Sequence, residues 1–155
     1  MNFNKIVILL ITLAFVASVG VVAAENASVG PFTFTVPDGY TVVNTTDNLV
    51  VMQKDANNVV NFATGVGDDI ESSKQSLIAE GNELIEESTL NYQNMEINLQ
   101  AFKFNNGQML SYNYILLSDD GNFAVTVVTD DTNFDGDLEA EGNPASIIFD
   151  SVVVN

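Results

Sequence analysis

The chain has 155 residues, of which 21 are Asp or Glu and 4 are Lys, for a formal net charge of -17, and it contains no Arg, His, Cys or Trp. A field of this sign repels nucleic acid and anionic lipid, which excludes a nucleic-acid-binding function. Without His or Cys, the chain has no His-based catalytic triad, no Cys nucleophile and no metal site with nitrogen or sulfur ligands. Any bound metal ion must therefore be held by oxygen.

The first 24 residues differ from the rest of the chain. A polar start containing Lys5 precedes an uncharged, apolar run that ends among small residues at Ala24. These are the three parts of an export signal, so we expect residues 1–24 to be a signal peptide. An uncleaved N-terminal membrane anchor is the alternative, because the run nearly spans a hydrocarbon core of about 30 Å. Either interpretation predicts a single domain, residues 25–155, that is secreted or held at the cell surface.

The first part of this domain predicts short antiparallel strands. Residues 32–36 alternate apolar and polar side chains with a period of two, as a strand with one buried face does. Further short runs rich in β-branched residues predict strands at residues 40–43, 49–53 and 59–64, because clusters of turn-forming residues separate them.

The hydrophobic period changes after Asp68. Apolar residues recur at helical spacing, which predicts a long amphipathic helix over about residues 69–87. The predicted stripe comprises Ile70, Leu77, Ile78, Gly81, Leu84 and Ile85. Asp68 and Glu71 have the spacing of a capping box, and Gly81 predicts a close approach of the helix to the sheet.

Period two then returns. Strands are predicted at residues 89–97, 99–104, 108–117 and 122–129, with hairpin turns at Asn106-Gly107 and Asp120-Gly121. After an acidic loop, Asn143 at the N-cap and Pro144 at the first helical position predict a short helix through residue 150 that buries Ile147 and Ile148. The predicted fold is α+β: an antiparallel β-sheet with one long amphipathic helix after the first strands and a short C-terminal helix.

Two segments resemble the PsbP-like superfamily. Residues 32–40, Phe-Thr-Phe-Thr-Val-Pro-Asp-Gly-Tyr, are similar to its entry of an apolar strand, Pro, turn and aromatic residue, and residues 145–151 are similar to its closing helix ending in Ser. The resemblance spans most of residues 31–155. It implies a small, exported or organelle-luminal, non-catalytic accessory domain with a central antiparallel sheet flanked by helices. The family has no fixed catalytic residues to transfer to this chain.

The acidic loop holds one arrangement typical of a metal site. Residues 131–139 match the first nine positions of an EF-hand-type calcium loop, in which positions one, three and five supply side-chain oxygens, Gly at six allows the turn and seven supplies its carbonyl. The candidate ligands are Asp131, Asn133, Asp135, Asp137 and Glu139. Gly142 stands at position twelve, where a bidentate Glu is usual. A solvated loop of ordinary turn formers is the alternative.

Three functions follow from these observations. The first is a non-catalytic accessory module outside the cytoplasm that binds an unidentified protein or surface, with membrane contact only through an uncleaved anchor. The second is a calcium-binding surface protein that uses residues 131–139, with calcium as its only predicted cofactor and a dissociation constant of about 10⁻⁴ to 10⁻³ M. The third is a carboxylate-based hydrolase, which requires a pocket enclosing two carboxyl groups.

Overall fold

The computed structural model describes residues 25–67 and 69–155, so the predicted signal peptide and Asp68 lie outside the described residues. The described chain forms ten strands and two helices. The strands are β1 (Asn26–Val29), β2 (Phe32–Thr35), β3 (Thr41–Thr45), β4 (Leu49–Asp55), β5 (Asn58–Thr64), β6 (Glu83–Tyr92), β7 (Met95–Phe104), β8 (Met109–Leu116), β9 (Phe123–Thr129) and β10 (Val153–Val154). The helices are α1 (Ile70–Ala79) and α2 (Pro144–Ser151).

The strands form two antiparallel sheets. The larger has the order β3-β4-β5-β9-β8-β7-β6, and the smaller has the order β1-β2-β10. The smaller sheet joins the two ends of the described chain, because β10 pairs with β2 in a register that sets Val154 opposite Phe32. The predicted antiparallel architecture is confirmed, but it is divided between two sheets.

The main core lies between one face of the large sheet and a layer made of the small sheet and α2. At its centre the Phe62 ring is stacked with those of Phe34 and Phe123, at centroid distances of 4.4 and 4.8 Å. Alternate residues of β8 and β9 also enter this core, as the period-two pattern predicts. The helix α2 adds Ile148 and Phe149, whereas Ile147, predicted to be buried, is 37% exposed.

The prediction of a long amphipathic helix over residues 69–87 is wrong. The helix α1 ends at Ala79, because Gly81 adopts a φ of +95° and donates its N–H to Ile78 O, closing the helix. An added Cβ at Gly81 would meet nothing within 4 Å, so this Gly serves the left-handed cap and not a close approach to the sheet. The helix is capped by Asp69, whose carboxylate accepts the N–H of Ser72.

Residues beyond Gly81 belong to the edge strand β6, which pairs with β7 along its whole length. The register shifts between Leu84 and Glu86, leaving Ile85 as the extra residue of a bulge. The turn falls at Gln93 and Asn94, both at positive φ, so the predicted strands at residues 89–97 and 99–104 were divided at the wrong place. The strands β1 and β10 were not predicted.

The opposite face of the large sheet carries α1. Lys74, on α1, is 7% exposed and its Nζ lies 2.8 Å from Glu87 Oε2 on β6 and 2.6 Å from Glu71 Oε2. Hydrogen bonds from Lys74 lower the pKa of Glu71, and those to Glu71 and Glu87 raise the pKa of Lys74. The Lys74–Glu87 pair joins the helix to the edge strand β6, whereas the Lys74–Glu71 pair lies within the helix. Neither helix in the described part of the chain has the length and apolar character needed to cross a membrane.

Candidate functional site

The acidic loop that follows β9 is anchored to the neighbouring hairpin. Thr129 Oγ1 donates to Asn58 Oδ1 at 2.8 Å and accepts the N–H of Asp131 at 3.0 Å. Asn57 Nδ2 donates to Asp130 Oδ2 at 2.8 Å. Asn57 and Asn58 therefore fix the residues just before the predicted calcium loop, and Thr129 in turn holds the first residue of that loop, Asp131.

Two Tyr hydroxyls from β8 hold the middle of the loop. Tyr112 donates to Phe134 O at 3.0 Å, and Tyr114 donates to Gly136 O at 2.7 Å. Burial raises the pKa of Tyr114 far above its usual range, so the hydroxyl stays a neutral donor at physiological pH. Gly136 has a φ of +77°, the conformation expected at position six.

The end of the loop is tied to α2. Asn143, the N-cap, accepts the N–H of Ala145 and donates to Asp137 O at 2.9 Å. The Ser146 hydroxyl donates to Leu138 O, and the Leu138 side chain is buried. The position-seven carbonyl of the predicted calcium loop thus accepts a hydrogen bond from the protein itself.

The predicted ligand side chains are exposed and are engaged locally. Asp131 Oδ1 accepts the N–H of Asn133, Asp135 Oδ1 accepts that of Asp137, and Asp137 Oδ1 accepts that of Glu139, at 2.9 to 3.0 Å. Each carboxylate closes its own turn. Within residues 25–67 and 69–155, no group of three acidic side chains is placed to hold a metal ion.

A buried polar row crosses the other face of the large sheet, and the sequence interpretation missed it. Side chains at adjacent register positions of four strands form it, namely Asn61, Thr126, Asn113 and Gln100, and the exposed Glu87 of β6 lies at the next position. Thr126 Oγ1 donates to Asn113 Oδ1 at 3.0 Å. The buried atoms Asn61 Oδ1, Asn113 Nδ2 and Gln100 Oε1 have no protein partner among the described residues. The visible signal was the occurrence of amides in otherwise apolar strands.

A pocket of about 390 Å³ lies beside β10, at the end of the molecule that carries the β6–β7 and β8–β9 turns. We call it the β10 pocket; it is lined by Phe32, Asn94, Met95, Glu96, Leu116, Leu117, Ser118, Asp120, Phe123, Val152 and Val154. Its walls are mainly apolar, and its two carboxylates, Glu96 and Asp120, are exposed. The sequence pattern did not predict it because its walls come from both ends of the domain.

The acidic side chains as a whole face solvent. Every Asp and Glu in the described part of the chain is exposed. Catalytic carboxylates are set apart from ordinary ones by burial or by shielding from water. The abundance of acid here therefore builds a charged surface.

Comparisons with known proteins identify the fold. No protein-family model matches the sequence, and no curated protein matches it. The solution structure of cyanobacterial PsbP (CyanoP) from Synechocystis sp. PCC 6803 is similar to this chain with a TM-score of 0.59 and 13% identity, over 92% of this chain and 99% of that one. A crystal structure from Bacteroides thetaiotaomicron VPI-5482 gives a TM-score of 0.49 and 10% identity, over 81% of this chain and 45% of that one.

The resemblance predicted from the two terminal segments is confirmed at the level of the fold. The likeness to CyanoP includes almost the whole of both chains, so the described domain has a PsbP-like fold. At 13% identity this defines the architecture and assigns no residue a role.

Proposed function

We propose that the chain is an exported, non-catalytic accessory domain that binds a protein partner outside the cytoplasm. The observation that carries this proposal is the correspondence with CyanoP along nearly the full length of both chains. The PsbP-like resemblance implies small accessory domains, and the leader-like residues 1–24 supply the export signal that such a role requires.

The charge distribution favours a basic partner. With a net charge of -17 and its described carboxylates exposed, the domain attracts positively charged surfaces and repels acidic ones. Such complementarity accelerates association and excludes wrong partners more than it adds affinity. We therefore expect the complex to weaken as salt is added.

A hydrolase has weaker support. The β10 pocket has Glu96 and Asp120 in its lining, so it contains the two carboxyl groups, although not the enclosure, that the hydrolase hypothesis requires. Both side chains are exposed, however, and the remaining walls are mainly apolar. A binding role uses these features directly, because acidic residues at the rim complement a basic partner.

The test is to express the full chain in its source cells with an affinity tag inserted at the exposed Asn106-Gly107 turn, distant in sequence from either chain end. After fractionation, we expect the tagged protein in the extracytoplasmic fraction and one basic protein co-purifying at low salt but not at high salt. Retention in the cytoplasm would contradict export. The absence of a specific partner after cross-linking at low salt would contradict the accessory role.

Calcium binding by residues 131–139 is a second proposal. Its support is the ligand spacing together with the positive φ of Gly136 at position six. Oxygens at positions one, five and seven already accept hydrogen bonds within the protein: Oδ1 of Asp131 and of Asp135 from backbone N–H groups, and the Asp137 carbonyl from Asn143. Binding would require the ion to share or displace these contacts. We expect about 10 mM calcium, roughly ten to a hundred times the expected dissociation constant, to raise the melting temperature by several degrees relative to EDTA.

Magnesium and matched variants separate binding from charge screening. The rise should be absent with magnesium and lost in Asp131→Ala and in Asp135→Ala. Asp119→Ala removes the same charge from the exposed β8–β9 turn, and the rise in melting temperature with calcium should remain in this variant. Equal shifts with both ions, or an equal loss in Asp119→Ala, would show that calcium acts only by screening.

A further inference from the structure

The β10 pocket is large enough to accept an apolar side chain, and its lining suits one. Its volume of about 390 Å³ is near the lower end of the range of ligand pockets, about 300 to 1,000 Å³. Phe32, Leu116 and Phe123 form part of an apolar wall, and Glu96 and Asp120 are the charged groups of its lining. Such a site accepts an apolar group that is flanked by positive charge.

The strand beside the pocket has an open edge. In the described residues β10 pairs with β2 on one side only. Asn155 donates its backbone N–H to Pro31 O at 2.7 Å, and inward-facing and outward-facing residues alternate in an antiparallel pair. The N–H and C=O of Val154 therefore point away from β2, where a further strand would find them.

The exposed apolar surface coincides with this edge. Val153 is 52% exposed and Val154 is 50% exposed, the largest values among the exposed large hydrophobic residues of the described chain. An unpaired edge with apolar side chains is a template for another strand. The edge is short, so an added strand needs a side-chain anchor as well as backbone hydrogen bonds.

The register supplies that anchor. Val154 lies opposite Phe32, and both side chains line the pocket, so this row of the small sheet faces the cavity. Directly opposed residues in neighbouring strands project to the same face of a sheet. A residue that pairs with the outer edge of Val154 would therefore direct its side chain into the β10 pocket.

From this geometry we infer that β10 and its pocket bind an extended segment of the partner, with one apolar residue opposite Val154 and Lys or Arg two residues to either side. Residues two apart share a face, so the basic side chains lie on the side of Glu96 and Asp120. The charge of -17 opposes a second copy of this chain as the occupant. The inference rests on the proposed binding function and adds the site and the chemistry of the segment.

The probe is a short synthetic peptide with a central leucine, lysine two residues to either side and threonine between them. A matched peptide replaces the leucine by serine and keeps every charge. We expect the serine peptide to bind about tenfold or more weakly, because the leucine side chain is removed from water on binding. Equal binding of the two peptides would overturn the inference, since charge alone would then account for it.

The protein variants are Val154→Lys and, as the control, Val153→Lys. They change the same residue type on the same strand at nearly the same exposure, but only Val154 lines the pocket. Val154→Lys should weaken binding of the leucine peptide about tenfold or more, whereas Val153→Lys should change it by about threefold or less. An equal loss of leucine-peptide binding in the two variants would overturn the inference that the peptide binds at this site.

A second test concerns self-association and the captured partner. The wild-type chain should sediment as a monomer; a dimer that Val154→Lys dissociates would make the occupant a second copy and overturn the inference. In source cells, Val154→Lys should lose the partner that the wild-type chain captures, and Val153→Lys should keep it. A partner retained by both variants would refute this site and leave the accessory role intact, whereas absence of any partner in the wild-type capture would refute the role itself.

Discussion

Replacing Ile148 by Ala is expected to lower the free energy of unfolding by about 2–5 kcal/mol. Ile148 lies on the buried face of α2 and is 0% exposed. Its neighbour Phe149 packs against the Tyr114 and Phe123 rings at centroid distances of 6.2 and 5.7 Å. Removal of the side chain leaves a cavity that close-packed rings cannot fill. Urea denaturation of the purified domain measures the loss, with an unchanged slope if the two-state transition is retained.

The matched control is Ile147→Ala, one position earlier on the same helix. Ile147 is 37% exposed, so the same atoms are removed from a site that is already partly in water. We expect a loss of about 1 kcal/mol or less. Similar losses of unfolding free energy in the two variants would mean that α2 does not pack on the core through Ile148. The position of β10, which follows α2 in the chain, would then be wrong as well.

The sequence predicted the parts of the fold that have local signals. Asn143 followed by Pro144 is such a signal, because the cap and the first helical residue are adjacent in the chain. Similarly, Asn106-Gly107 marks the β7–β8 turn without reference to distant residues, and both residues have positive φ. In each case the free energy that favours the structure arises within a few residues.

The error at residues 82–87 has a definite cause. The bulge at Ile85 adds one residue to the strand and interrupts the period-two pattern. The adjacent apolar residues Leu84 and Ile85 then fit the spacing of a helical stripe. Gly81 was the signal of a helix end, but it was interpreted as a packing residue. The turn at Gln93 and Asn94 lacks Gly, so its positive φ values were not visible in the composition.

The candidate sites depend on contacts that no local pattern encodes. A strand at residues 108–117 puts Tyr112 and Tyr114 on one face by its period of two, but it does not show that their hydroxyls hold the acidic loop 22 residues further along the chain. The β10 pocket joins Phe32 to Val154, and the strand that creates it has two residues. Such sites follow from topology, which a single sequence specifies only through the complete packing of the domain.

Replacing Gly136 by Ala is expected to destabilise the domain by about 2–4 kcal/mol, the sum of backbone strain and overpacking. An added Cβ would overlap Tyr112 Cδ1, lie 2.5 Å from Tyr112 Cε1 and lie 3.3 Å from the Tyr114 hydroxyl oxygen. The rings cannot withdraw freely, because both are buried in the core. The melting temperature should fall by roughly 10 °C.

Gly142→Ala separates the two contributions to this loss. Gly142 has a φ of +86°, close to the +77° of Gly136, but an added Cβ there would meet nothing within 4 Å. The Gly142→Ala variant should therefore lose about 1–2 kcal/mol of unfolding free energy, from backbone strain alone. If Gly136→Ala costs no more than Gly142→Ala, the loop does not lie on the Tyr112 ring as described. If it costs more, and Tyr112→Ala in the same chain relieves the excess, the close approach of loop and ring is what makes Gly necessary at position 136.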